Sequence, residues 1–295
     1  MAAIPRENPT FTQSPWRRRV RVVERIAAYL LLGVLSVVLL APFYFMFIGS
    51  LMDRGEMFQV PPTFWPHELI WENYSALFER FPFGTYVRNS LIISISQTLG
   101  VLFICSLAGF IFAKRRFPGR NWLFLVVLIS SMLPHGQTTI IPFYLLMVKF
   151  GWVNTFWPLI IPWWAPPLSI FLMRQYIANG VPDDLIDAAT LDGTSLFGIY
   201  RRIVLPLVAP GLVVIGVLQF IAVWNDFLYS LLILKTEEMR TVTLALVELS
   251  TRTQAATTYG PLFAGMVLAT VPTLLLYIIF QRRLTSGILS GSLRG

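Results

Sequence analysis

The chain has 295 residues and a formal charge of +8; 56% of its residues are hydrophobic and only 13% are charged. A soluble domain would carry roughly one quarter charged residues and a disordered one far less apolar content, so both classes are excluded and an integral membrane protein is implied. One cysteine (Cys105) and two histidines (His67 and His135) exclude an intrachain disulfide and a Cys/His metal cluster, and no metal site is expected.

Residues 1–25 form a basic arm with Arg6, Arg17, Arg18, Arg19, Arg21 and Arg25. Six apolar segments follow, near 26–48, 86–112, 121–148, 155–178, 207–234 and 261–281. Each is long enough to cross about 30 Å of hydrocarbon as a helix rising 1.5 Å per residue. The first has too long an apolar core, and no small-residue cleavage site, for a cleaved signal, so it reads as an anchor. The loop at about 49–85, "VPPTFWPHELIWENYSALFERFPF", reads as an ordered cap with short helical pieces. Its "NYS" (Asn73 to Ser75) matches a glycosylation sequon by chance. Cys105, inside the second run, reads as a small buried hydrophobe. Pro134, Pro142, Pro158, Pro162, Pro166, Pro167 and Pro272 interrupt the later spans. Each removes a helix hydrogen bond, and the freed carbonyls need partners from neighbouring helices or a wet cavity.

Basic residues alternate between the loops. Sixteen of the 23 Lys and Arg fall on the side of the two termini, the "AKRRFPGRN" loop (Lys114, Arg115, Arg116, Arg120) and the loop after the fourth span. Arg54, Arg80, Arg88, Lys149, Lys235, Arg240 and Arg252 fall on the other side, mostly among acids. The positive-inside rule places both termini in the cytoplasm. The net charge is accounted for by this topology and membrane lipid, with no nucleic acid partner expected.

The loop between spans four and five, 179–206, is the most polar and most punctuated stretch. Pro182, Asp183, Asp184 and Asp187 favour a helix start, Ala188 and Ala189 keep its surface flat, and Asp192-Gly193 ends it. "TSLFGIYRRIVL" reads as a second short helix, after which Pro206 and Pro210 turn the chain back into the membrane. On the residues alone, this unit is either an interfacial loop without a partner or a docking surface.

The spacing of the loop resembles a known motif. An acid (Asp187), Ala188, Ala189, three residues ending at Asp192, Gly193, nine residues, then Ile203-x-Leu205-Pro206 is similar to the "EAA" loop of permease subunits of binding-protein-dependent ABC importers. "YVRNSLIIS" (Tyr86 to Ser94) resembles the start of that permease domain, and "WNDFLYSLLIL" (Trp224 to Leu234) its fifth core helix. "FQRRLTSGILSGSLRG" resembles the C-terminus of the carbohydrate-uptake, maltose-transporter MalG type. The chain departs from that pattern in having Asp187 for the usual Glu, Thr194 for a small Ala, and a Ser-Leu-Arg-Gly ending.

The resemblance implies an all-α polytopic membrane protein with the type I ABC importer permease fold and six transmembrane helices. Residues 26–85 would be the first span and outer loop, 86–281 the core domain with five spans, and 282–295 a cytoplasmic tail. It implies a bacterial or archaeal cell membrane, a second homologous permease, two cytoplasmic ATPase subunits, an extracytoplasmic solute-binding protein and a sugar as substrate. No catalytic residue and no cofactor belong to this chain; ATP and Mg would be held by the ATPases, because the sequence has no G-x-x-x-x-G-K-[ST]. Asp187 to Pro206 would form the coupling loop, and Gly287, Gly291 and Arg294 would lie in a tail between the ATPases; composition alone would equally fit a frayed terminus.

The solute path is read from polar residues in span five. Asp226, expected about 12 Å inside that span, needs a partner or a wet cavity. Gln219, Trp224 and Asn225 lie nearby, and Trp224 is a candidate for stacking on a sugar ring. A helix–helix hydrogen bond near an outer gate is the alternative. Trp157, Trp163 and Trp164 read as an interfacial belt or, alternatively, a sugar platform. A permease for glycerol-3-phosphate or a polyol, or a secondary transporter, would share much of this pattern; no internal repeat favours the latter.

Overall fold

The computed structural model describes residues 15–61, 63–132, 139–252 and 259–292. No strand occurs among the described residues. Helix α1 (Pro15–Gly49) joins the end of the basic arm to the first apolar run and continues through Pro42. Most of its side chains between Ile26 and Leu40 are exposed, as on a helix that faces lipid, and it packs against α14 (Tyr259–Ser292). The 49–85 loop holds α2 (Arg54–Met57) and α3 (Glu72–Arg80), which are the expected short helical pieces. Asn73 Nδ2 donates to the carbonyls of Ser50 and Met52 at 3.0 and 3.2 Å. The sequon asparagine is thus a tie between α3 and the end of α1.

Helix α4 (Phe83–Lys114) is the centre of the bundle and packs against both α8 (Pro167–Gly180) and α11 (Leu205–Trp224). Without a hydrophobic drive between helices in lipid, such crossings depend on close packing at small residues. A Cβ built on Gly109 of α4 would lie 2.9 Å from the Arg174 amide nitrogen and 2.9 Å from Met173 Cβ of α8, so the two backbones pass almost in contact. Val101, Cys105, Phe110, Met173, Ile177, Tyr200 and Val204 fill the core around this crossing.

Among the described residues, four helices are long and apolar enough to cross a membrane: Glu24–Gly49, Phe83–Lys114, Leu196–Trp224 and Tyr259–Arg283. The other two expected spans are described as shorter elements. The 121–148 segment gives α5 (Arg120–Met132) and α6 (Ile140–Lys149); Pro134 and His135 fall outside the described residues, and Pro142 sits in the first turn of α6, where its missing N–H costs little. The 155–178 segment gives α7 (Trp157–Ile160), a 3₁₀ turn (Ile161–Trp163), a break and α8. Its prolines break the helix as expected, and part of the freed backbone finds a partner: Cys105 Sγ lies 3.7 Å from the Trp164 carbonyl and 4.0 Å from that of Pro166. Cys105 is buried, so its thiol serves both as packing and as a weak donor. Pro272, by contrast, leaves α14 continuous.

Two sequence expectations for 187–234 need correction. The second short helix of the loop is not separate from span five. It comprises α10 (Leu196–Ile199) and a π turn (Tyr200–Val204) that run directly into α11. The wide π turn lies just before Pro206, where the proline ring would otherwise meet the preceding turn, so the helix absorbs the proline instead of bending away at it. Span five, in turn, does not reach 234. It stops at Trp224, breaks at Asn225–Phe227 and resumes as α12 (Leu228–Ile233). The stop follows from side chains competing with the backbone: Asn225 Nδ2 donates to the Ile221 carbonyl at 2.8 Å, and Asp226 turns to α12. A 3₁₀ turn (Glu237–Met239) and α13 (Val242–Arg252) complete the chain order before α14.

Candidate functional site

The 179–206 loop closes one end of the bundle. Helix α9 (Asp183–Leu191) follows Pro182 and carries Asp183 and Asp184 in its first turn, where the helix dipole favours acids. Its inner face is short: Ile186 and Ala189 are buried against the α4–α8 core. Its outer face presents Asp187 and Ala188, both exposed, beside Leu185 at 46% exposure and Leu191 at 89%. Asp192 and Gly193 end it in a Schellman turn. The Gly193 amide donates to the Thr190 carbonyl at 3.1 Å, the Thr194 amide to that of Ala189 at 3.0 Å, and Gly193 adopts φ +76°. Beyond the turn Phe197 is 57% exposed, while Ile203 and Leu205 pack on the core and Pro206 is exposed. The motif residues therefore divide between an outward face that includes Asp187, Ala188 and Gly193 and an inward one of Ala189, Ile203 and Leu205.

Two contacts fasten this loop to α4. Lys114 Nζ donates to Asp183 Oδ1 at 2.6 Å. That hydrogen bond, and then the ammonium charge, hold the Asp183 carboxyl below the usual carboxylate range. Within the core the hydroxyls of Ser106 and Tyr200 lie 2.7 Å apart, which ties the π turn to the C-terminal third of α4. The first contact joins the two loops that charge counting places on one side of the membrane. Gly287 and Gly291 lie in the helical backbone at the end of α14, and Arg294 is outside the described residues.

The other end of the bundle is stapled across the start of α4. Tyr86 donates to Glu237 at 3.0 Å, Asn89 to the carbonyls of Glu238 and Arg240 at 2.7 and 3.0 Å, and Ser90 accepts from the Val242 amide at 2.9 Å. Arg240 pairs with Glu248 at 2.9 Å, as its acidic surroundings in the sequence suggest.

Beneath this staple lies a cavity of about 200 Å³ between α4, α11 and α12. Gln219 and Asp226 line it. Asp226 does not sit inside a helix, however; its Oδ2 accepts from the Ser230 amide at 3.0 Å and the Ser230 hydroxyl at 2.9 Å and so caps α12 at the rim. Asn225 is exposed and does not line the cavity. Trp224 is 3% exposed, stacks on Phe220 and donates to the Ala269 carbonyl at 3.0 Å, so it belongs to the core and is closed to a sugar ring. Of the three other candidate tryptophans, Trp157 is exposed, Trp164 packs on Gly100, and Trp163 lines the cavity edge-on to Tyr229 at 4.8 Å.

Sequence reading missed the wall that α4 contributes. Ser90, Ser94 and Gln97 stand at i, i+4 and i+7 in an otherwise apolar helix and line the same cavity. That spacing puts them on one face and was a usable signal.

Comparison with known proteins agrees with this geometry. The arabinooligosaccharides transport system permease protein AraQ of Bacillus subtilis (strain 168) is 33% identical over 276 residues, covering 92% of this chain and 97% of that one. The trehalose/maltose transport system permease protein MalG of Thermococcus litoralis is 31% identical, covering 94% and 99%. A crystal structure of a bacterial ABC transporter involved in the import of the acidic polysaccharide alginate contains a chain with the same fold, at TM-score 0.80 and 21% identity over 92% of this chain and 99% of that one. The model of the binding-protein-dependent transport system inner membrane component matches residues 105–289, a segment that includes the whole 179–206 loop and the Gln219–Asp226 rim. The chain belongs to that family and is a permease subunit of an ABC-type transport system.

Proposed function

We propose that this chain forms, with a second homologous permease, the membrane pathway of an ATP-driven sugar importer. An extracytoplasmic solute-binding protein delivers the solute, and two cytoplasmic ATPase subunits hold ATP and Mg and supply the energy. The observation that carries this reading is the outward face of the 179–206 loop. Leu185, Leu191 and Phe197 are left exposed around Asp187 and Ala188 on a helix rigidly closed by the Gly193 turn. An apolar and acidic face of this kind suits a groove on a partner protein.

In this reading α1, α4, the α5–α6 pair, the α7–α8 pair, α10–α11 and α14 make six crossings with both termini cytoplasmic. The membrane is that of a bacterial or archaeal cell. The tail with Gly287, Gly291 and Arg294 reaches toward the ATPases. Dimerisation of the ATPases on ATP moves the docked loop, and α4 and α11 shift with it between inward-open and outward-open arrangements.

The substrate class follows from the relatives. AraQ, MalG and a diacetylchitobiose uptake permease of Streptomyces coelicolor are named for sugars, whereas a 29% identical permease of Yersinia enterocolitica is named for sn-glycerol-3-phosphate. A sugar is the better supported reading.

Reconstitution tests the whole. Vesicles carrying both permeases and the ATPases should take up solute only with ATP and the binding protein, and this chain alone should hydrolyse no ATP. Uptake by this chain alone, driven by a proton gradient, would overturn the assignment.

A further inference from the structure

Taking the chain as the permease proposed above, we infer that the cavity between α4, α11 and α12 is a solute site for neutral, hydroxyl-rich molecules and excludes anions. Its polar groups come from three elements and converge on one space: Ser94 and Gln97 from α4, Gln219 from α11, and Asp226 at the rim of α12. A sugar hydroxyl both donates and accepts, and so do a primary amide and a serine; Asp226 adds an acceptor. Ser94 is 1% exposed, and its Oγ has no hydrogen-bond partner among the described residues. A buried hydroxyl without a partner is uncommon in a native fold, and one on a cavity wall points to a ligand that completes it. Trp163 and Tyr229 supply the apolar and aromatic part of the wall that the faces of a sugar ring need.

The charge of the wall decides between solute classes that family membership leaves open. Recognition of a carboxylate or phosphate uses Arg forks, Lys charges or clustered backbone N–H groups. No Lys, Arg or His is among the described residues lining the cavity, and the one carboxyl among them is that of Asp226. Protonated or not, Asp226 accepts from a hydroxyl and offers an anion no counter-charge. The nearby cation Arg240 is engaged by Glu248 and Glu237. At about 200 Å³ the cavity is smaller than the roughly 300–1,000 Å³ of sites that enclose a whole small ligand. This chain therefore contributes one wall of a path completed by the facing permease.

The test uses the complete transporter in vesicles with its binding protein. Arabinotriose, maltotriose and diacetylchitobiose serve as neutral probes, and trigalacturonate and glycerol-3-phosphate as anions. At least one neutral probe should enter in an ATP-dependent manner, and each anion at about one tenth of that rate or less. Gln97→Leu should lower the amount of neutral probe moved per ATP hydrolysed by about fivefold or more, and Ser94→Ala, which removes one atom without changing the fold, should lower it in the same direction. Anion uptake at the rate of the best neutral probe, no uptake of any neutral probe, or an unchanged transport-to-hydrolysis ratio in both variants would each overturn the inference. The permease reading fails on a separate signal, namely that the binding protein does not stimulate ATP hydrolysis in the same vesicles.

Discussion

Replacing Gly193 probes the geometry of the loop with little else disturbed. The residue holds φ +76° at the end of α9, and a Cβ built there meets nothing within 4 Å. A substitution therefore adds no clash with neighbours, and its cost is that of the backbone alone. A left-handed conformation costs a residue with a Cβ about 1–2 kcal/mol, and a β-branched residue more. That corresponds to a factor of about 5–30 in the population of the Schellman turn. The anchors of α9, Ile186 and Ala189, are untouched, so the helix stays in place while the exit to Phe197 is redirected. Gly193→Val should thus insert and melt much as the parent does, yet bind the ATPase about 5–30-fold more weakly or worse. Gly193→Asn, whose side chain tolerates this region, should retain most of the affinity. The assay is titration of the permease pair in nanodiscs with purified ATPase, alongside thermal unfolding of the same preparations. Equal ATPase affinity for Gly193→Val and the parent would show that the turn does not set the docking geometry. Equal losses for Val and Asn would show that backbone strain is not the cause.

Other sites give sharper contrasts. Asp187→Lys should uncouple hydrolysis from uptake or release the ATPase, while Asp187→Glu keeps activity and a charge-reversed partner residue restores part of it; an enclosed ion pair is worth several-fold more than the about 0.2–1 kcal/mol of an exposed one, so normal uptake in Asp187→Lys would remove the coupling role. Asp226→Leu should lower uptake more than abundance, because it loses both the cavity acceptor and the Ser230 cap, whereas Asp226→Asn should keep the cap; matched falls in uptake and abundance would leave only a structural role. The Lys114–Asp183 contact follows a carboxyl whose pKa is depressed in the fold, so its contribution is present above the ordinary carboxylate pKa of about 3.9 and is lost only as the pH drops through the lower folded value. Amide-exchange protection of α9 should accordingly stay level from about pH 8 to pH 5, and Asp183→Asn should reduce it across that whole range. Gly109→Val should push α4 off the α8 backbone and cost about 1–3 kcal/mol, read as a lower unfolding temperature of the purified protein.

What was legible in the sequence depended on whether the signal was local. The Gly193 turn could be read because a Schellman end is encoded in a few consecutive residues, and the break around Trp164–Pro167 because proline acts on its own helix. The grouping of Lys114 with the 179–206 loop could be read because charge sorts loops by side of the membrane. The fusion of α10 with α11 could not, since the π turn that accommodates Pro206 is held partly by Tyr200, whose hydroxyl meets Ser106 94 residues away. The same holds for Trp224. Its position beside Asn225 and Asp226 suggests stacking on a sugar ring, but Trp224 is the last residue of α11 and its indole turns into the core toward Ala269, while Asp226, past the helix end, lines the cavity.

The cavity and the loop share one structural member. Ser94 and Gln97 on the cavity wall, Ser106 against the π turn and Lys114 against α9 all belong to α4, which is unbroken over 32 residues. From Gln97 to Lys114 the rise is about 25 Å at 1.5 Å per residue, which is most of the hydrocarbon thickness. A helix in the middle of a bundle, in backbone contact with α8 at Gly109, deforms less readily than it translates or rotates. In the proposed importer, displacing α9 would therefore load the Lys114–Asp183 and Ser106–Tyr200 contacts first, and through α4 it would move the polar face that lines the cavity. Span length alone does not require this arrangement. It places the polar stripe of α4, which hydropathy treats as a minor blemish in an apolar run, on the same element as the contacts that hold the loop, and in the proposed importer that is where loop and solute would meet.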